Sequence, residues 1–207
     1  ETTHLDLSYN MLTHIEPRIS NLSNLRSLNL EYNDFGSTPM LWFRFLENLV
    51  FLEELNLSNN KLTQVPSSVG DCPNLKALKL NGNELVEISG LVLRNLRHLE
   101  LLELSSNRLN KLPDEITYLS SLKKLSVYDN NLHALPQGLR FPTSLEELDL
   151  SKNRLKHLHP IVFGIATATY IGEEWRYDGN AERQLRILRA SQNQIDVIDE
   201  ELFYERF

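Results

Sequence analysis

The sequence predicts an α/β solenoid built from about eight copies of one short unit. The copies follow the pattern Leu-x-x-Leu-x-Leu-x-x-Asn-x-Leu, and an asparagine ends the strand part of each one. They begin near residues 2, 25, 52, 75, 99, 122, 145 and 185, so most starts are 23 or 24 residues apart. A unit this short cannot bury its apolar side alone, and we therefore expect neighbouring units to stack into a single array covering residues 1–207.

The apolar spacing assigns a structure to each part of a unit. Positions 4 and 6 flank a polar residue, which predicts a short strand with its leucines facing a core. Positions 1, 11 and 14 are also apolar and should complete that core. Prolines follow the fourteenth position at Pro66, Pro113 and Pro136, where a return segment of turns and short helices is expected. This pattern and period identify a leucine-rich repeat solenoid, with parallel strands on a concave face and the return segments on a convex face.

The recurring asparagines are interpreted as structural. A side-chain amide both donates and accepts hydrogen bonds, so each asparagine is expected to satisfy backbone groups of its own unit and of the next. The stacked amides should form a buried ladder with no binding role. Its predicted members are Asn10, Asn33, Asn60, Asn83, Asn107, Asn130, Asn153 and Asn193.

Composition and motifs exclude several functions. The net charge is −7 and no basic run occurs, which argues against nucleic-acid and anionic-membrane binding. No phosphate-binding glycine loop, Gly-x-Ser-x-Gly or His-Glu-x-x-His motif is present, so we predict no catalytic residue, metal site or cofactor in this chain. The single cysteine, Cys72, is interpreted as a small buried apolar residue, and its isolation favours a reducing, cytoplasmic compartment. No long apolar span predicts membrane insertion.

Neither end of the sequence looks like a polar cap, because Glu1 lies inside a unit and Phe203, Tyr204 and Phe207 crowd the last residues. Terminal units of a solenoid need a polar cap to be soluble. We therefore expect the chain to be part of a longer protein, with adjoining domains or further units at both ends.

The concave face carries the charged residues of interest. Its second position alternates in sign from unit to unit: Arg26, Glu53, Lys76, Glu100, Lys123, Glu146 and Arg186. These side chains either pair with one another or form a recognition surface for a charged protein partner. The candidate partner-binding residues are a basic spot and three tyrosines, with Tyr128 on an exposed edge and the other two paired near the start: Lys76, Lys79, Lys123, Lys124, Tyr128, Tyr9 and Tyr32.

Two segments break the period. The second unit is longer, and its Trp42, Phe43 and Phe45 are expected to pack into the back wall, the alternative being an exposed apolar patch. The seventh unit carries an insertion within residues 164–184, whose aromatic and charged candidates are Trp175, Arg176 and Tyr177. That insertion is either a lid over the core or a binding loop.

These two breaks carry a family resemblance. The segment Glu174–Asn193 resembles the last repeats of fungal adenylate cyclases, where an insertion with tryptophan also precedes a final Leu-x-x-Leu-x-x-Ser-x-Asn unit. The segment Asn33–Phe45 of the widened second unit is similar to a unit several repeats earlier in the same proteins. The remaining units match many intracellular repeat proteins.

The resemblance implies a regulatory role. The array would be the C-terminal part of a repeat region that associates with a GTP-loaded Ras-type GTPase to control cyclic AMP synthesis. A phosphatase-like domain and the cyclase domain would follow, and any magnesium or manganese would belong to them. The protein would be cytoplasmic and held at the inner face of the plasma membrane through its partners. Because the effector face of such GTPases is acidic, the four lysines are the candidate contact. The alternatives are a generic scaffold of the Ras-pathway or cell-polarity type, and a ligand-sensing repeat domain.

Overall fold

The computed structural model describes residues 2–37, 39–135, 141–158, 168–171, 174–177 and 185–198. Its main feature is an eight-stranded parallel sheet with one three-residue strand from each unit. The strands are β1 (His4–Asp6), β2 (Ser27–Asn29), β3 (Glu54–Asn56), β4 (Ala77–Lys79), β5 (Leu101–Glu103), β6 (Lys124–Ser126), β7 (Glu147–Asp149) and β11 (Ile187–Arg189).

The strands pair in chain order, and β7 pairs directly with β11 across the insertion. The register aligns equivalent positions, so that Leu28 lies opposite Leu55 and Leu55 opposite Leu78. These central leucines are buried while the residues on either side of them face outward, as the period of two in a strand requires. The predicted solenoid with a parallel sheet is confirmed.

The core is continuous from unit to unit. In the third unit the five predicted core positions are at most 8% exposed: Leu52, Leu55, Leu57, Leu62 and Val65. Burying one such side chain contributes about 1.5–3 kcal/mol, and stacking is what makes that burial possible here. Cys72 belongs to the same core, and its burial raises the pKa of the thiol to about 12, in agreement with the interpretation as an apolar residue.

In the first five units the return segments contain short helices, as predicted, while the return predicted at Pro136 lies outside the described residues. They are 3₁₀ helices at Pro17–Asn21, Phe35–Ser37, Met40–Asn48, Ser67–Asp71 and Asp114–Tyr118, and an α-helix, α1, at Gly90–Leu93. Pro39, Pro66 and Pro113 each immediately precede one of these helices, since proline fixes φ and needs no hydrogen-bond partner for its nitrogen. No helix of the described residues is long and apolar enough to cross a membrane.

The widened second unit forms the long 3₁₀ helix. Phe43 and Phe45 are buried, and the Phe43 ring contacts the edge of Phe35 at a centroid distance of 5.7 Å. Trp42 is 42% exposed and its ring lies 5.1 Å from that of His14. The back-wall prediction is therefore wrong for Trp42. A 3₁₀ helix has three residues per turn, so Phe43 and Leu46 lie on its inward side. Trp42, one residue before Phe43, points away from that side.

The insertion in the seventh unit contains a hairpin. Strands β9 (Ala168–Ile171) and β10 (Glu174–Tyr177) pair antiparallel, with Trp175 opposite Tyr170. Strands β8 (His157–Leu158) and β12 (Val197–Ile198) pair parallel on either side of the insertion in sequence. The rest of the predicted insertion, residues 164–167, 172–173 and 178–184, lies outside the described residues.

Candidate interaction surface

The outward side of the main sheet, formed by positions 2, 3 and 5 of the units, is called the strand face here. Over β1–β4 it forms an open groove of about 370 Å³. The outward polar residues that line this groove are His4, Asp6, Ser27, Asn29, Glu54, Asn56 and Lys79. The groove therefore presents hydrogen-bonding and charged groups over four neighbouring units, on a floor of strand backbone.

Five of the seven alternating charges at position 2 pair with one another within the described residues. The Lys76 Nζ atom lies 2.7 Å from Glu53 Oε2, and Arg26 contacts the other oxygen of Glu53. The Lys123 Nζ atom lies 2.6 Å from Glu100 Oε2. The hydrogen bond from Lys76, followed by that from Arg26, lowers the pKa of the Glu53 carboxyl. The sequence left two alternatives for this row, mutual ion pairs or a recognition surface for a charged partner. The side chains named above form ion pairs.

The four lysines of the predicted basic spot differ in their partners. Lys76 and Lys123 are in the pairs just described, and Lys124 lies 3.3 Å from Glu147. Lys79 forms no ion pair with any described residue. The acidic strand β5 lies between β4 and β6, so the lysines form two separate groups rather than a continuous basic surface.

Tyr9 and Tyr32 form a stacked pair at the edge of the first two units. Their ring centroids are 4.5 Å apart with an interplanar angle of 22°, and the side chains are 72% and 45% exposed. The predicted pairing of these two tyrosines is therefore observed, and both rings are accessible to a partner.

Tyr128 differs from this pair. It is half-buried rather than on an exposed edge, and the Lys152 Nζ atom lies over its ring, 4.9 Å from the centroid. The expectation of an exposed Tyr128 is wrong because the next unit covers the ring with its own cation. Trp175, Arg176 and Tyr177 lie on β10, but their side chains are outside the described part of the chain, and their role in binding stays a prediction.

The asparagines form a ladder of hydrogen bonds, illustrated by Asn83. Its Nδ2 atom donates to the carbonyl of Leu80 in its own unit and to that of Leu57 in the preceding unit, each at 3.0 Å. Its Oδ1 atom accepts from the backbone N–H groups of Asn60 at 3.0 Å and Leu62 at 2.9 Å. From Asn33 to Asn193 each ladder side chain donates to the preceding unit, whereas the sequence prediction named the next one.

Burial of the ladder is not uniform. Six members are buried, Asn193 is half-buried and Asn10 is exposed, so the prediction of eight buried amides is wrong for these two. Among the described residues, the Asn10 amide donates only to carbonyls of its own unit, those of Leu7 and Ser8.

The ladder has one break, at the widened unit. Asn60 is fully buried, and its Oδ1 atom is the buried side-chain oxygen without a hydrogen-bond partner among the described residues. In the other units the donor is the N–H two residues after the preceding asparagine, as for Leu12 and Leu62. The equivalent residue here is Phe35, which instead begins a 3₁₀ helix. The extra length of the second unit thus removes one bond from the ladder.

Sequence reasoning missed a backbone feature beside the ladder. The residue before each asparagine has φ between +51° and +65°: Tyr9, Tyr32, Asn59, Gly82, Ser106, Asp129, Lys152 and Gln192. The signal in the sequence was weak, since only three of these eight residues, Asn59, Gly82 and Asp129, are of the types that tolerate the left-handed region best. This conformation turns Tyr9 and Tyr32 outward from the end of each strand.

Comparisons with known proteins agree with this architecture. Family models described as leucine rich repeat match residues 1–22, 23–85, 51–109, 73–132 and 120–164. A search of curated proteins finds no match.

Three solved structures show the similarity at the level of the fold. The leucine-rich repeat ectodomain of the receptor kinase GASSHO1/SCHENGEN3 from Arabidopsis thaliana is 29% identical over 87% of this chain and 20% of its own, with a TM-score of 0.64. PEPR1, solved with AtPEP1, is 27% identical over 93% of this chain and 25% of its own, with a TM-score of 0.72. A leucine-rich repeat protein of Leptospira interrogans is 25% identical over 97% of this chain and 57% of its own, with a TM-score of 0.55.

The chain spans between a fifth and three fifths of the length of these three proteins. Family matches across residues 1–164, one parallel strand per unit and the ladder of asparagine amides show that the chain belongs to the leucine-rich repeat family.

Proposed function

We propose that this chain binds a protein partner on its strand face. The leucine-rich repeat is a non-catalytic interaction fold, and the observation that carries the proposal is the open polar groove over β1–β4. Similar structures support it, since GASSHO1/SCHENGEN3 was solved in complex with CASPARIAN STRIP INTEGRITY FACTOR 2 and the plant peptide hormone receptor RGFR1 in complex with RGF2. A surface of this kind gives specificity through the arrangement of its charges more than through buried area.

We further infer that the partner is a GTP-loaded Ras-type GTPase and that the chain is a regulatory repeat region of a fungal-type adenylate cyclase. The support is the resemblance of Glu174–Asn193 and of the widened unit to repeats of that family. In this proposal the protein acts in the cytoplasm, at the inner face of the plasma membrane. Cyclase chemistry and its metal ions belong to other domains of the longer protein.

Lys79 is the central contact in this proposal. It lines the groove and has no carboxylate partner among the described residues, so it binds an acidic surface without breaking an existing pair. Lys123 and Lys124 must exchange Glu100 and Glu147 for carboxylates of the partner. Because exposed ion pairs contribute about 0–1 kcal/mol, this exchange costs little.

A binding assay with a purified Ras-type GTPase tests the proposal. Immobilised chain should retain the GTP-loaded form and not the GDP-loaded form. Lys79→Glu should weaken retention about tenfold, or roughly 1.4 kcal/mol, and the double variant Lys123→Glu/Lys124→Glu should also weaken it. Lys111→Glu, an exposed lysine away from the strand face, is the matched control and should leave retention unchanged. Equal retention of the two nucleotide forms contradicts effector binding.

A second candidate function is supported by the groove itself. An extended peptide lying across β1–β4 would contact Glu54 and Asn56 in the centre of the groove, which fits a ligand-sensing repeat domain. Such a ligand would lose affinity for Glu54→Lys and would bind in the absence of any GTPase. Binding that depends on Lys79 and on GTP, and not on Glu54, would exclude this candidate.

A further inference from the structure

The strongest unassigned feature is the corner formed by Tyr9, Tyr32 and Glu31 at the edge of the first two units. The stacked tyrosines leave large aromatic surfaces in water, with 72% of Tyr9 and 45% of Tyr32 exposed. Exposed tyrosines of this kind are frequent anchors of protein interfaces. The pair is held in place because both residues occupy the left-handed turn before a ladder asparagine.

Glu31 is fixed beside this pair. Its Oε2 atom accepts from Asn56 Nδ2 at 3.0 Å, and its Oε1 atom accepts from Asn59 Nδ2 at 3.1 Å. The backbone N–H of Tyr9 donates to the Glu31 carbonyl at 2.8 Å, and Glu31 directly precedes Tyr32 in the chain, so the three residues are neighbours. Partial desolvation, and then the charge of Glu31, raise the pKa of the Tyr9 phenol. Two neutral amides orient this carboxylate, and no cation among the described residues pairs with it.

Elsewhere the chain supplies a cation to groups of the same kind. Tyr128 has Lys152 over its ring, at 4.9 Å, and the strand-face carboxylates Glu53 and Glu147 each contact two basic side chains. Within the described residues the tyrosine corner receives neither a cation over a ring nor an ion pair. The corner therefore combines two accessible aromatic rings with a carboxylate and has no positive group among the described residues.

We propose that Tyr9, Tyr32 and Glu31 bind an arginine side chain presented by a protein partner. A guanidinium is planar and weakly hydrated, so it stacks on the outer face of a tyrosine while its N–H groups donate to the carboxylate. An apolar group would desolvate the charge of Glu31 without supplying a positive charge to offset it, and an acidic group would be repelled by it. Charge complementarity thus selects a cation, and a planar guanidinium, which can stack on the ring while it donates to the carboxylate, favours arginine over lysine.

This subsite lies at the edge of the proposed interaction surface and rests on the proposal that the chain binds a protein. It does not depend on a GTPase being that protein. The partner must present an exposed arginine to this subsite. The group that the partner presents to Lys79 is instead acidic. The two contacts together would orient a partner along the first four units.

A titration with capped peptides tests the proposal by nuclear magnetic resonance. The probes are acetyl-Gly-Arg-Gly-amide and the same peptide with neutral citrulline in place of arginine. The ring signals of Tyr9 and Tyr32 and the side-chain amide signals of Asn56 and Asn59 should shift saturably with the arginine peptide. The citrulline peptide should bind at least about fivefold more weakly, the ratio expected when one charge-dependent contact of roughly 1 kcal/mol is removed.

Matched variants distinguish this subsite from nonspecific binding of the peptide to the acidic surface. Glu31→Gln keeps an amide acceptor but removes the charge, and Tyr9→Asn places at this turn the residue type that Asn59 supplies in the third unit. Both should reduce binding of the arginine peptide at least about fivefold, whereas Tyr118→Asn, an exposed tyrosine of a return segment, should not.

Equal binding of the two peptides, or undiminished binding to Glu31→Gln, would overturn the proposal. Thermal unfolding of each variant verifies that the array is intact, and Tyr32→Asn provides a second test if Tyr9→Asn fails to fold. Lys111→Glu, at an exposed position away from the strand face, should leave the peptide titration unchanged. A chain that binds the arginine peptide but no GTPase would therefore retain this subsite and lose only the proposed partner.

Discussion

At the scale of single residues, the asparagine pattern predicts the places of the ladder but not its direction. The repeated Asn shows that each turn needs both a donor and an acceptor. Whether the amide reaches the preceding or the following unit depends on how the strands are stacked, and no single residue records that. The break at Asn60 is likewise invisible in the residue type, because it arises from the missing N–H donor in the widened unit.

Two alanine variants of the ladder should therefore differ in stability. Asn107→Ala leaves the carbonyls of Leu80 and Leu104 and the N–H of Leu85 without their partner, at about 1–3 kcal/mol for each buried group. Asn60→Ala removes donated bonds only, since Oδ1 accepts none. Urea unfolding should show a loss larger for Asn107→Ala by about 1 kcal/mol or more. Equal losses would mean that the Asn60 oxygen is satisfied in solution.

Gly82 tests the left-handed turn. Its φ is +65°, and an added Cβ would lie 2.1 Å from Asn59 Oδ1. Gly82→Ala should lower the unfolding free energy by about 1–2 kcal/mol, because an L side chain disfavours this region. Adding Asn59→Gly removes the close contact and, once the effect of Asn59→Gly alone is subtracted, should recover only part of the loss, since Asn59 itself has a φ of +56°. Full recovery in thermal or urea unfolding would show that the contact, rather than the backbone conformation, dominates.

At the scale of elements, the sequence predicts the structure of the regular units. It predicts only part of the structure of the widened second unit and of the insertion in the seventh unit. Five apolar positions per unit predict strand, core and return segment, because each element must bury one side against its neighbours. The outward position of Trp42 was not predicted, since its neighbourhood reads as uniformly aromatic and the three-residue turn of the 3₁₀ helix decides which rings face inward. The β9–β10 hairpin was missed because its two four-residue strands lack the leucine pattern.

The long 3₁₀ helix offers a matched pair of substitutions. Phe43 is 1% exposed and packs against Phe35 and Phe45, so Phe43→Ala should destabilise the array by about 3–5 kcal/mol. Trp42→Ala, one residue earlier, should change stability by less than about 1 kcal/mol, because that ring contacts only the exposed His14 among the rings described. Urea unfolding followed by circular dichroism measures both. A large loss for Trp42→Ala would place its ring in the core.

At the scale of the whole molecule, ion pairs between units decide which charges on the strand face are available to a partner. A count of lysines predicts a basic spot, but neighbouring strands supply carboxylates that occupy most of them. The carboxylates of Asp6, Glu31, Glu54 and Glu103 have no ion pair within the described chain. The sequence could not show this, because a charge at one position pairs with a residue 23 or more positions away, and sometimes diagonally, as Arg189 does with Glu147.

The pairs also predict how stability depends on pH. Hydrogen bonds from basic partners lower the pKa values of Glu53, Glu100 and Glu147 below the ordinary 4.5. A carboxyl with a lowered folded-state pKa binds its proton more readily when unfolded, so its stabilising effect is complete above pH 4.5 and is lost as pH falls below it. These three carboxyls should therefore leave the unfolding temperature independent of pH near neutrality and lower it in acid.

The triple variant Glu53→Gln/Glu100→Gln/Glu147→Gln should show a smaller decline of the unfolding temperature in acid. Lys111→Gln, which leaves these carboxylates in place, should match the parent chain. An unchanged acid decline in the triple variant would mean that the strand-face pairs do not contribute to stability in solution, and the lysines would then be available to a partner at no cost.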